Sequence, residues 1–148
     1  MPDDLLRPSV GSGVDPAARP WPLLNVAYIA VLGGVLPITW LAFVNSGRLG
    51  VSDAKRGLIV VIGLAGVVIE FFAVGLLNPA GDLSWVALVP MRIIAVLCYY
   101  FQWRLQRPSD RVFQLSGREY GTGFGFGNLA MVAIGVFTEL IIAVVASS

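Results

Sequence analysis

Glu70, Arg92 and Glu139 are the residues of this chain best suited to do chemistry, because each is an ionisable group set inside a long apolar run. A charge in hydrocarbon has no water to solvate it, so it persists only where a partner or a function holds it. Glu70 lies twelve residues past Leu58, about 18 Å from one edge of its run at helical rise, and Arg92 lies eight past Ser84, about 12 Å from the opposite edge. Glu139, ten residues past Leu129, comes about 15 Å in from the first edge. In a hydrocarbon core roughly 30 Å thick, all three share one level. The expectation is an inward-facing cluster in which Arg92 bridges one or both carboxylates. Such a cluster pins helices in register, forms part of a proton or ion path, or serves to bind a partner. With two acids for one base, one carboxylate is surplus.

The neighbours of these residues fit an inward orientation. Gly63, Gly66 and Ala73 share a helical face with Glu70, and Gly135, Ala143 and Ala146 share one with Glu139. Small residues let helices approach closely in a membrane, so these are packing faces. Gly33 and Pro37 add a fourth feature at similar depth. Pro37 has no N–H to offer the carbonyl of Gly33, which predicts a kink and a free acceptor near the midplane, with Thr39 restoring part of the bonding.

To position these residues the chain needs helices long enough to span. The apolar runs are about 23–44, 58–77, 84–103 and 129–146, each long enough at 1.5 Å per residue to cross a bilayer. Lipid offers the backbone no hydrogen-bond partners, so the expected fold is all-α, a four-transmembrane-helix bundle with antiparallel neighbours. Residues 1–22 read as a flexible tail and 23–148 as the membrane domain. Arg48, Lys55 and Arg56 lie in the first connection, and Arg104, Arg107, Arg111 and Arg118 in the third, while the short second connection, Asn78–Leu83, has no basic residue. The positive-inside bias then puts loops 45–57 and 104–128 in the cytoplasm and both termini outside, in a multi-pass protein of the plasma membrane. Trp21 and Trp85 would mark the outer edge, and Tyr99, Tyr100, Trp103, Phe124 and Phe126 the inner one.

Composition narrows the function. Hydrophobic residues make up 57% of the chain and charged ones 13%, outside the range of soluble domains. There is no histidine, which removes the commonest metal and haem ligand and the usual general base, and no cofactor is expected. The single cysteine, Cys98, rules out an internal disulfide. A net charge of +1 does not favour nucleic acid as a partner. Thr138 and Glu139 are about 100° apart around a helix and do not form a nucleophile–base pair, so an enzyme is not expected. The expected partners are the lipid bilayer and other integral membrane subunits or further copies of the chain. The leading reading is a non-catalytic accessory or structural subunit of a larger membrane complex, and the alternative is a small oligomeric ion or proton channel or transporter component.

The string Leu32-Gly33-Gly34-Val35-Leu36-Pro37, followed by Val44-Asn45-Ser46-Gly47-Arg48-Leu49-Gly50, resembles a group of small bacterial integral membrane proteins with four apolar spans. The resemblance implies the same four-helix layout. It brings no activity and no functional residue with it.

Overall fold

Five helices account for nearly all of residues 19–77, 85–121 and 126–146, the residues described by the computed structural model. The tail up to residue 18, residues 78–84 with the expected second connection, residues 122–125 of the glycine-rich stretch before α5, and residues 147–148 lie outside the described residues. In chain order the helices are α1 Leu23–Gly33, α2 Val35–Arg48, α3 Asp53–Leu77, α4 Trp85–Leu115 and α5 Phe126–Ala146. Among the described residues there is no strand, so the all-α class holds.

The four-span layout needs correction at its start. The first apolar run is not one helix but two, α1 of 11 residues and α2 of 14, and they fold back on each other. The backbone N–H of Trp21 donates to Asn45 Oδ1 at 2.7 Å, and Asn45 Nδ2 donates to the Trp21 carbonyl at 3.1 Å. A continuous helix would hold positions 24 residues apart about 36 Å from each other. Instead Val26, Ile29 and Ala30 of α1 pack on Ile38 and Leu41 of α2, and the Arg48 guanidinium sits 4.0 Å from the centre of the Trp21 ring.

Gly34 makes the reversal. Its φ of 79° and ψ of −165° fall in a region that is open essentially to glycine alone. Pro37 is not the cause: it is the third residue of α2, where the first-turn N–H groups lack helical partners anyway. The Thr39 hydroxyl caps nothing on Gly33 and donates to the Val35 carbonyl at 2.8 Å.

The reversal moves the start of the chain to the other end of the bundle. Leu23, Leu49, Val51 and Phe113 form one buried cluster, so residues 19–23 lie beside the turn after α2 and the end of α4. Gly121 N–H donates to the Pro20 carbonyl at 2.9 Å and fixes the same corner. Residues 19–22 are therefore not part of a free tail, and they stand at the end expected to be cytoplasmic, not opposite it. Trp21 accordingly lies at the same end as Trp103.

The connections are also shorter than expected. The first loop shrinks to residues 49–52 between α2 and α3. Arg104 to Leu115 is not loop but the last third of α4, which continues past Pro108. On α3, Ile59, Gly63, Gly66, Glu70 and Val74 form the buried stripe, the spacing of one helical face. The opposite face is bare hydrocarbon, with Val61, Leu64, Val68 and Phe72 all more than half exposed. Among the described residues, only α3 is both long and apolar enough to cross a membrane by length and composition, and Leu129–Val145 is a shorter apolar helix.

Candidate functional site

The site forms where the apex of the α1–α2 hairpin meets α3, α4 and α5. Arg92 of α4 and Glu139 of α5 make a two-pronged ion pair, Nη1 to Oε1 at 2.7 Å and Nη2 to Oε2 at 2.6 Å. Two parallel charge-assisted bonds fix both side chains in orientation as well as distance. Glu139 is 5% exposed, and Gly135 and Ala143, one turn to either side, are buried with it.

The apex is built to receive this carboxylate. A Cβ on Gly34 would fall on Glu139 Oε1, so the missing side chain is what admits the acid. Gly34 is also the residue from which α2 starts, and no side chain caps that helix. A carboxylate at a helix N-terminus is favoured by the unpaired N–H groups and by the helix dipole. Gly135 plays the reciprocal part, since a Cβ there would fall on the Gly33 carbonyl oxygen. The Gly33 carbonyl, at the end of α1, is thus turned towards α5.

Glu70 joins the cluster without joining the ion pair. It is 1% exposed, its Oε1 has no hydrogen-bond partner, and it is close enough to feel the charges of Glu139 and Arg92. Arg92 thus clamps one carboxylate and leaves the other as the surplus. Cys98 stands beside Glu70 and fits against the bare backbone of Gly66, with its Sγ donating to the Ile62 carbonyl at 3.7 Å.

A second set of polar residues escaped the sequence reading. From Cys98 the inner face of α4 continues through Gln102, Gln106 and Asp110, all buried, to Gln114. The four-residue spacing was available as a signal, masked by the basic residues between. Gln102 Nε2 donates to Thr39 Oγ1 at 2.9 Å and to the Ile59 carbonyl at 3.4 Å, and Gln106 Nε2 donates to the Gln102 carbonyl at 3.3 Å. Asp110 accepts from Tyr120 at 2.8 Å and from Gln114 at 2.9 Å. Burial, reinforced by the bond to Asp110, pushes the Tyr120 phenol up to about 12. A cavity of about 280 Å³ opens beside Asp110, Tyr120, Arg107, Arg111 and Trp103.

The basic residues of the expected loops do not converge on the ion pair. Arg48 stacks on Trp21, Arg56 on Phe43 at 4.6 Å, Arg107 on Trp103 at 4.8 Å and Arg118 on Phe113 at 5.2 Å. Arg104 reaches the Tyr100 hydroxyl at 3.4 Å, and Lys55 is exposed. They ring the end of the bundle that holds residues 19–23. Among the described residues no three acidic or thiol groups come together as a metal site. No protein family, curated protein or solved structure matches the chain, so its function has to be read from its own residues.

Proposed function

We propose that the chain is a membrane-embedded transport component, acting as an oligomer, in which Glu70 carries charge and Arg92–Glu139 holds the hairpin apex beside it. The single observation that supports this most is the buried, partnerless Oε1 of Glu70. A pin between helices needs one carboxylate for one arginine, and that pair already exists. A second buried acid with nothing to bind only costs stability, unless it exchanges a proton or meets a passing ion.

In this reading α3, α4 and α5 cross the bilayer of the plasma membrane, and the bare apolar faces of α3 to α5 meet lipid. Helices of 11 and 14 residues reach about 17 and 21 Å, short of a full crossing of roughly 30 Å, so α1–α2 is a re-entrant hairpin with its break inside the hydrocarbon core. Broken helices at that depth are tolerated where they are enclosed by protein, and they are a recurrent way to present backbone dipoles to an ion. The basic end, with residues 19–22 and the turn 49–52, faces the cytoplasm, and the end of α5 faces outwards.

Reconstitution into liposomes tests the proposal. Wild-type vesicles should carry a potential-driven flux that Glu70→Gln removes. Flux that survives both Glu70→Gln and Glu139→Gln would sink it.

An accessory subunit remains the second reading, favoured by a shallow apolar depression of about 230 Å³ on α5 between Leu140, Ile141, Val144 and Val145, shaped to accept a neighbouring helix. Gentle detergent extraction separates the two. Stoichiometric foreign subunits support the accessory role, and a homo-oligomer supports transport.

A further inference from the structure

We propose that the transported species is a proton, and that it travels between Glu70 and the cytoplasmic end along the inner face of α4, past the amide oxygens of Gln102 and Gln106. This rests on the transport reading above and adds a cargo and a route to it.

Among the described residues four buried side-chain atoms have no hydrogen-bond partner: Arg56 Nε, whose guanidinium stacks on Phe43 at the basic end, and three oxygens, Glu70 Oε1, Gln102 Oε1 and Gln106 Oε1. The orientation of both amides is fixed by what their nitrogens meet. The Thr39 hydroxyl spends its proton on the Val35 carbonyl, so towards Gln102 it offers only a lone pair, and the Ile59 carbonyl likewise only accepts. A flipped Gln102 would set oxygen against oxygen twice. The nitrogen of Gln106 faces the Gln102 carbonyl, which fixes it the same way. Acceptors without donors, all at most 2% exposed, are what a positively charged hydrogen-bond donor would require.

Geometry sets the route and the size of the cargo. Cys98, beside Glu70, is followed at four-residue steps by Gln102, Gln106 and Asp110, so the stripe runs about 18 Å along α4. Its bonds to the Ile62 and Ile59 carbonyls set Cys98 and Gln102 against the first turns of α3, on the cytoplasmic side of Glu70. Towards the surface from Glu70, Gln102, Gln106, Asn45 and Tyr99, together with apolar side chains of α1 and α2 that supply most of its wall, line a cavity of about 10 Å³, room for one water and no more. Two amide oxygens do not make a cage for a dehydrated metal cation, which needs several oxygens at once. They do suffice for hydronium, which donates three hydrogen bonds.

The transfer conserves atoms and charge. Protonated Glu70 breaks its O–H bond and passes the proton to a water, which becomes hydronium, and Glu70 is left as a carboxylate near the positive charge of Arg92. Hydronium donates to Gln102 Oε1 and Gln106 Oε1 and hands its proton on through water to the cavity beside Asp110, where bulk solvent takes it. Tyr120, its phenol pushed up to about 12, stays protonated and holds Asp110 as an acceptor. The reverse steps load Glu70.

Full-length protein in liposomes holding an internal pH dye tests the route, with a potassium diffusion potential as the drive. Gln106→Leu should lower proton flux at least about tenfold, the cost of leaving hydronium without one of its acceptors. Gln106→Glu, which keeps an oxygen at that place, should retain flux. Because Gln106 gives up a single bond to a neighbouring carbonyl, both variants should keep the wild-type gel-filtration profile and helical circular dichroism. Unchanged flux in Gln106→Leu while Glu70→Gln is silent overturns the route and leaves the transport reading intact. A flux carried by sodium at constant pH overturns the proton as cargo. Wild-type vesicles no more conductive than empty ones overturn route and reading together.

Discussion

The first apolar run and α4 each contain proline, and they behave in opposite ways. Residues 23–48 hold one internal proline and fold back on themselves, whereas α4 runs for 31 residues through Pro90 and Pro108 without a break. Proline removes a single hydrogen bond and bends a helix, which neighbours can absorb. Reversing direction takes a residue whose backbone enters territory closed to side chains, and a partner to fill the space above it. Gly34 is the first and Glu139 the second.

The sharpest way to break the difference is Gly34→Val, which sets a β-branched side chain at a positive φ and on top of the Glu139 carboxylate. A loss of about 3 to 5 kcal/mol is expected from strain and overpacking combined. Denaturation by an SDS series in mixed micelles reads it. Arg92→Met comes next, at about 3 kcal/mol in the same assay, because Glu139 is then left buried without its partner under the apex. Adding Glu139→Gln to Arg92→Met should recover most of that loss. Pro37→Ala should change stability by under about 1 kcal/mol, since a first-turn N–H has no helical partner to regain. Spin labels at Leu24 and Gly47 should report the same short distance in this variant as in wild type. A lengthened distance would make Pro37, and not Gly34, the agent of reversal.

The smallest effect concerns how α4 carries on beyond Pro108. There Asp110 takes hydrogen bonds from Tyr120 and Gln114 and ties the last turns to the loop after them. The folded state holds the Tyr120 proton more tightly than the unfolded chain, in which a phenol titrates near 10. Its contribution to stability is therefore complete below about pH 10 and fades as pH rises through about 12. Tyrosinate absorbance should show one late-titrating phenol that Tyr120→Phe removes.

The sequence disclosed the ion pair because depth follows from counting residues, and counting brought Arg92 and Glu139 to one level from opposite directions. The small faces around both acids were legible for the same reason: helical periodicity does not depend on topology. The hairpin was not legible in hydropathy, because an apolar run has the same composition whether it crosses a membrane or turns back half-way. The informative marks were Gly33-Gly34 at its centre and Asn45 at its end, and Asn45 gains meaning only when Trp21 is found beside it. Glu70 as the unpaired acid was also beyond sequence, since helical rise gives its depth and not which carboxylate the arginine faces.

The seat of the hairpin also bears on how the molecule is assembled. Gly33 and Gly34 are translated early, yet the residues that close over them, Gly135 and Glu139, belong to a helix made after the other four. Until α5 arrives, the apex has no lid and the start of α2 no counter-charge. Chains normally acquire structure from the front, but here the first element has to wait for a later one. A ribosome stalled before α5 should therefore leave α1–α2 open to protease and to alkylation of cysteines placed near position 34, a vulnerability that vanishes once α5 is in place.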